Sequence, residues 1–223
     1  IKQAIDVILS YQNSDGGWAT YELTRAPKWL EKLNPSEVFA DIMIDYSWTE
    51  CTAACVISLL EAREAYPDYK NSEIHRAIGA GLRFILEQQK GDGSWYGGWA
   101  VCFTYATWFG IEAISKAMGK GFYNDTVLAG SLKKACEFLI GKQKVDGGWG
   151  ETFESCSKLV YTEAKKSQVV NTAWALLGLM AADFNDKILI EKGVNQLLSR
   201  QADIGDWSQE SISGVFNYNC MIT

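Results

Sequence analysis

Histidine is almost missing from this chain of 223 residues, which carries one, His75. Six cysteines (Cys51, Cys55, Cys102, Cys136, Cys156 and Cys220) form no Cys-x-x-Cys pair. One imidazole and scattered thiols do not make a zinc set, so no metal is expected and the thiols are read as reduced. Basic charge is short as well: 21 Lys and Arg against 27 Asp and Glu leave a formal net charge of -6, with no cluster of cations. That excludes the electrostatic footprint of a nucleic-acid binder. Long apolar runs are lacking too. None reaches the roughly 18 residues that would cross a bilayer. The opening IKQAIDVILS lacks the basic start and small-residue cleavage site of a signal peptide. The chain opens inside a helical pattern and closes at Thr223 without a helix stop signal, so both ends are read as cut.

Aromatic residues are abundant: nine Trp, ten Tyr and nine Phe make 13% of the chain. That exceeds what core filling asks for and calls for a further reason.

One segment recurs four times: VILSYQNSDGGW (7–18), FILEQQKGDGSW (84–95), FLIGKQKVDGGW (138–149) and QLLSRQADIGDW (196–207). Each copy reads as the last turns of an amphipathic helix, a polar Gly-bearing turn and a Trp. The Gln six residues before each Trp is expected to bond orphan backbone groups at a helix end, and the Trp to pack on the next unit. Between the copies lie helix-length segments at 50–64, 100–117 and 168–184 that are apolar nearly all round, whereas 73–89, 131–143 and 187–201 have polar faces. Alternation of the two kinds predicts inner and outer rows of helices, an all-α (α/α) barrel or toroid. The whole of 1–223 then belongs to one barrel domain, with repeats ending near Trp18, Trp95, Trp149 and Trp207. An irregular insert at 19–49, holding Pro27 and Pro35, interrupts the first unit and is a candidate carrier of function. A solenoid used only for protein binding is the competing reading of the repetition.

Several residues carry chemistry. In GGWAVCFTYATWFG (97–110), Trp99, Phe103 and Tyr105 stand at the start of an apolar helix, with Trp99 and Phe103 placed on one face at i,i+4. A desolvated aromatic face stabilises a cation by about 0.5 to 2 kcal/mol. A cavity walled by several suits a reaction that runs through carbocations. Asp41, Asp45 and Glu50 could instead pair as acid and base for glycoside hydrolysis, though this spacing is common on solvated helix faces. Cys51 and Cys55 share an i,i+4 face; a buried thiol can donate a weak hydrogen bond to an acid, whereas Cys55, Cys102 and Cys136 are read as fillers. His75 is expected at the surface of an outer helix, with no metal partner.

The fourfold Gln-x5-Trp repeat resembles the QW motif of the triterpene cyclases over the whole chain. DGGWATYE (15–22), LNPSEVFADIMIDY (33–46), the ECT at 50–52, WAVCFTYATWFG (99–110), DGGWGE (146–151) and GVFN (214–217) resemble the eukaryotic oxidosqualene cyclases in particular. The resemblance implies an isomerase of sterol and triterpenoid biosynthesis that protonates (3S)-2,3-oxidosqualene and guides a carbocation cascade without metal or organic cofactor. It implies that Tyr21, Trp99, Tyr105 and Phe216 line the cavity, that Cys51 hydrogen-bonds the catalytic aspartic acid, and that Ile42 stands at the substrate-channel constriction. That acid, in a DCTAE motif, would lie upstream of Ile1, which would leave this chain alone inactive. The resemblance also implies monotopic attachment to the endoplasmic reticulum membrane or a lipid droplet. DGSWYGGWAVCFTY and NCMIT lean toward cycloartenol formation, with lanosterol formation left open. Trp48 departs from the family's Tyr or Val before ECT, and Ala106 from its Gly after CFTY, which puts local packing in question. A prenyltransferase β-like toroid remains an alternative, but it requires an Asp, Cys and His zinc set.

Overall fold

Helices form where apolar side chains recur at helical spacing. In the computed structural model they are α1 (Lys2–Ser10), α2 (Thr49–Ala65), α3 (Asn71–Gln88), α4 (Cys102–Gly119), α5 (Asp125–Gly141), α6 (Glu154–Lys158), α7 (Val169–Ala181) and α8 (Lys187–Leu198). The structure describes residues 1–35, 41–122, 125–216 and 220–222.

Helices α2, α4 and α7 pack side by side in that order. Behind them lie α3 on α2, α5 on α4 and α8 on α7, while α1 touches α2 and α3. This is the expected pair of rows, inner and outer, of an α/α toroid. Helix α4, in the middle, buries Phe103, Ala106, Ile111, Ile114 and Ala117 almost completely. Helix α7 stands at the end of the inner row and leaves Leu177 and Met180 exposed. The expectation that every inner segment is nearly wholly buried therefore holds for α4 and not for α7, since burial needs a neighbour on both flanks.

The four repeated turns share one geometry. A glycine with φ between +86° and +91° turns the chain in each (Gly16, Gly93, Gly147, Gly205). In the first three a Cβ there would strike the next outer helix, at the carbonyls of Ala80, Lys134 and Lys192. The side-chain amide of Gln12 donates to Gly16 O and crosses to Ala77 O of α3, both at 2.9 Å. Gln89 reaches Ser131 O at 3.0 Å and Gln143 reaches Leu189 O at 2.9 Å in the same way. The Trp indoles donate backwards, closing their own helix at Ile8, Ile85, Leu139 and Leu197 O over 2.6 to 2.9 Å. The helix-end bond expected of Gln is thus made by the Trp indole, and the Gln amide crosses to the next outer helix in the first three turns. The rings of Trp18, Trp95 and Trp149 still pack on the following unit, against Gly81, Gly110 and Gly193.

One feature departs from an all-helical reading. β1 (Gly214–Phe216) pairs antiparallel with β2 (Cys220–Ile222), with Val215 opposite Met221. Gly214 also bridges Ala100, so the extended run before α4 supplies a further partner. Val215 is β-branched and buried, which suits a pleated surface packed against its neighbours. The insert at 19–49 contains a 3-10 turn at Lys28–Leu33. Its residues 36–40 lie outside the described residues.

Candidate functional site

Two carboxylates tie the insert down: Glu31 accepts from the N–H groups of Met43 and Ile44 and from the Tyr46 hydroxyl, and Asp45 holds its start. Asp45 accepts from the backbone N–H of Tyr21 (2.5 Å) and Glu22 (3.1 Å), and its carbonyl accepts from the Thr24 hydroxyl at 2.7 Å. This folds the Ala-Thr-Tyr-Glu stretch back over the start of α2. The Tyr21 ring then meets Trp99 edge-on, with centroids 6.0 Å apart and planes at 82°.

Trp99 is not on a helix. It sits three residues ahead of α4, in the extended run that pairs with β1: Val215 N donates to Trp99 O at 3.1 Å and Val101 N to Ser213 O at 2.8 Å. The i,i+4 face expected for Trp99 and Phe103 therefore does not exist. Phe103 turns into the core against Tyr96, centroids 5.4 Å apart. The apolar run starts about one turn before its helix does, and so mimics a helical face that is absent.

A hollow of about 340 Å³ opens between α2 and α4, lined by Thr20, Tyr21, Glu50, Cys51, Ala54, Trp99, Tyr105 and Phe109. A second, of about 420 Å³, shares Thr20, Tyr21 and Trp99 and adds Ile42, Ile44 and Asp45. The structure thus brings together Tyr21, Cys51, Trp99 and Tyr105, and places Ile42 in the adjoining hollow. Phe216 is placed by its backbone in β1, one residue beyond the bond to Trp99; its side chain lies outside the described residues.

Thr20 joins the two halves of the wall. Its hydroxyl accepts from the Trp99 indole at 3.0 Å and lies 3.9 Å from the Cys51 sulfur. Burial, and the charge of Glu50 beside it, push the Cys51 thiol up to about 12, so it stays a neutral S–H that can donate. Burial likewise raises the Tyr105 phenol, whose ring packs on Phe109 and on Trp174 of α7, both at 5.1 Å. Glu50 is buried at 4% exposure, and its Oε1 accepts from the N–H of Gly98 (2.8 Å) and Trp99 (3.3 Å). Its Oε2 has no partner, and burial raises the carboxyl to about 7.

Two carboxylates of the glycosidase reading, Asp45 and Glu50, are committed to backbone amides and hold the wall in shape. His75 is exposed on α3 and stacks on Phe122 at 4.5 Å. Among the described residues no group of three or more His, Cys, Asp or Glu could hold a metal. The two departures fit locally through glycine. Trp48 covers Gly98 so closely that a Cβ there would lie 2.8 Å from the ring, and Ala106 lies 3.1 Å from where a Cβ on Gly97 would stand.

Sequence reasoning overlooked Thr20 and Phe109 as parts of this wall, and Trp174 as the ring that backs Tyr105. Trp174 had a signal, a Trp outside the repeats on an inner segment; Thr20 had none beyond its place next to Tyr21.

The pattern that defines the squalene-hopene cyclase C-terminal domain matches residues 1–222. The chain is 51% identical to a cycloartenol synthase of Dictyostelium discoideum, over 100% of the chain and 31% of that protein. It is 49% identical to a lanosterol synthase of Pneumocystis carinii, over 100% of the chain and 30% of that protein. A mouse lanosterol synthase is 50% identical over 99% of the chain and 30% of its own length. The chain therefore spans about a third of these curated relatives. Among solved structures, an ent-copalyl diphosphate synthase of Streptomyces platensis superposes with a TM-score of 0.64 at 17% identity, covering 95% of the chain and 33% of its own. The type II terpene cyclase MstE of Scytonema gives 0.61 at 19%, covering 95% and 52%. These two share the fold.

Proposed function

Since the chain belongs to the squalene-hopene cyclase C-terminal domain family, we propose that it forms part of an oxidosqualene cyclase making a sterol precursor. The reaction is acid-initiated closure of (3S)-2,3-oxidosqualene to cycloartenol or lanosterol. The observation that carries this reading is the convergence of Tyr21, Trp99 and Tyr105 with the neutral thiol of Cys51 on one apolar hollow.

Aromatic faces attract positive charge without offering it a bond, so a cation can migrate along the wall without being trapped. A preformed wall stabilises charge as it develops, which lowers the barriers of the cascade more than it tightens substrate binding. Cys51, held neutral, donates to a carboxylic acid and keeps that acid strong. Ile42, exposed in the adjoining hollow, gates substrate passage. Asp45 is occupied by amides and Glu50 holds two amides through one oxygen; on the resemblance to the oxidosqualene cyclases, the proton donor is an aspartic acid in another part of the protein. Phe216 joins the same wall from β1. The lipophilic substrate is drawn from the endoplasmic reticulum membrane or a lipid droplet, where the whole protein attaches to one leaflet.

The test is incubation of the whole protein, and of the 223-residue chain alone, with 2,3-oxidosqualene, followed by mass spectrometry of the extracted lipids. The whole protein is expected to give a polycyclic triterpene alcohol and the chain alone none. Unchanged substrate from a folded whole protein would overturn the proposal, and product from the chain alone would overturn the external donor.

A further inference from the structure

The run from Gly98 to Thr104 carries Trp99 at its start and leads directly into Tyr105, and its backbone N–H groups at both ends are held by side chains from other helices and turns. Helix α4 begins with Val101 at the cap position, where no side chain caps the first turn. The N–H groups of that turn need partners. They find them in Glu151, 47 and 48 residues further along the chain: Oε1 accepts from Phe103 N at 3.0 Å, and Oε2 from Thr104 N at 2.9 Å and the Thr104 hydroxyl at 3.0 Å. At the other end, Glu50 of α2 accepts from Gly98 N and Trp99 N through one oxygen. Both side chains are buried, Glu151 completely. Between the two ends, Val215 of β1 bonds the carbonyl of Trp99, and Ser213, just ahead of β1, accepts from the N–H of Val101.

We infer that Glu50 and Glu151 form a two-carboxyl clamp on the backbone of 98–104 and are positioning residues that set Trp99 and Tyr105 in the wall of the hollow. The inference rests on the reading of that hollow as a cation-stabilising wall. Two hydrogen-bond-accepting side chains from the preceding and following units grip one short run, so the angle of the rings is set by the barrel and not by the run itself. The clamp is asymmetric. Glu50 uses one oxygen and leaves the other unpartnered, so an amide can replace it with its carbonyl on the same two N–H groups. Glu151 uses both oxygens as acceptors, so an amide NH2 would face a backbone N–H, of Phe103 or of Thr104, whichever way it turned.

The test uses the whole protein with Glu50→Gln, Glu50→Ala and Glu151→Gln, read by amide hydrogen exchange over 97–105 and by the product mixture from 2,3-oxidosqualene. Glu151→Gln is expected to speed exchange at Phe103 and Thr104 by about tenfold or more, the equivalent of one lost buried hydrogen bond. Glu50→Ala should do the same at Gly98 and Trp99, and Glu50→Gln should leave exchange near wild type. Products of early termination should rise in the two variants with faster exchange and not in Glu50→Gln. Unchanged exchange in Glu151→Gln and Glu50→Ala would overturn the clamp. Faster exchange with a wild-type product mixture would overturn the positioning role. If even the wild type fails to cyclise the substrate, the functional reading falls, while the exchange pattern still decides whether the clamp exists.

Discussion

Glu50 and Glu151 are buried to nearly the same degree and each serves two successive backbone N–H groups, yet their second oxygens differ. On Glu151 the second oxygen takes an amide and a hydroxyl; on Glu50 it takes nothing. Burial raises both carboxyls. Three donors converge on Glu151 and favour its charged form, whereas Glu50 has a bare oxygen on which a proton can sit. Equal depth therefore does not mean equal surroundings: burial raises both carboxyls, and the donors that oppose that rise are more numerous on Glu151.

The largest effect expected from this difference is on stability. Glu151→Ala strands two amides and a hydroxyl in the core, which costs more than about 3 kcal/mol in urea unfolding. Glu50→Ala strands two amides at the edge of a hollow and should cost less. Equal losses would break the comparison.

Next comes pH. The folded carboxyl of Glu50 titrates near 7 against an ordinary 4.5, so between those values the folded chain holds a proton that the unfolded chain has released. Its contribution to stability is complete below about pH 4.5 and is lost as pH rises through 7. The loss is about 3 kcal/mol, from 1.36 kcal/mol per unit of pKa. Cys51 and Tyr105, which Glu50 influences, stay neutral over this range. Subtracting the pH profile of Glu50→Gln from that of the wild type isolates this slope, and a flat difference would refute it.

A smaller effect is expected from Thr104→Val. It removes one of the three donors on Glu151 and should cost about 1 kcal/mol in thermal or urea unfolding. A neutral result would mean that the hydroxyl adds nothing to the two amides.

Much of this was legible in the chain. The four Gln-x5-Trp copies mark the ends of α1, α3, α5 and α8, because a turn that needs glycine at positive φ and a helix-closing Trp leaves a fixed spacing behind. Inner and outer helices differ in how many of their faces are apolar, so the two rows could be read as well. Tyr21, Cys51, Trp99 and Tyr105 were legible through their surrounding wording. The clamp was not: its bonds join residues almost 50 positions apart, and a Glu in a chain rich in acidic residues carries no mark of burial. Thr20 was hidden for the same reason. The β1 and β2 ladder escaped because three-residue strands fall below the length at which period-two alternation can be seen. For Trp99 and Phe103, an apolar run that starts before its helix suggested a shared face.

The fourth turn shows what the other three require. Gln201 bonds Gly205 O at 2.7 Å, Trp207 is half-buried, and a Cβ on Gly205 would meet nothing. The turn builds itself locally, and the crossing bond is made only where an outer helix follows.

The central claim is that the rings around this hollow steer positive charge. The most direct measurement is the product mixture of the whole protein carrying Trp99→Phe and Trp99→Ala, quantified by gas chromatography with mass spectrometry against wild type. The account expects Trp99→Phe to keep most of the native product. It expects Trp99→Ala to lose about tenfold or more in kcat/KM and to release incompletely cyclised or rearranged alcohols, as removal of a desolvated cation–π contact would require. Native rate and native product from a folded Trp99→Ala enzyme would contradict it.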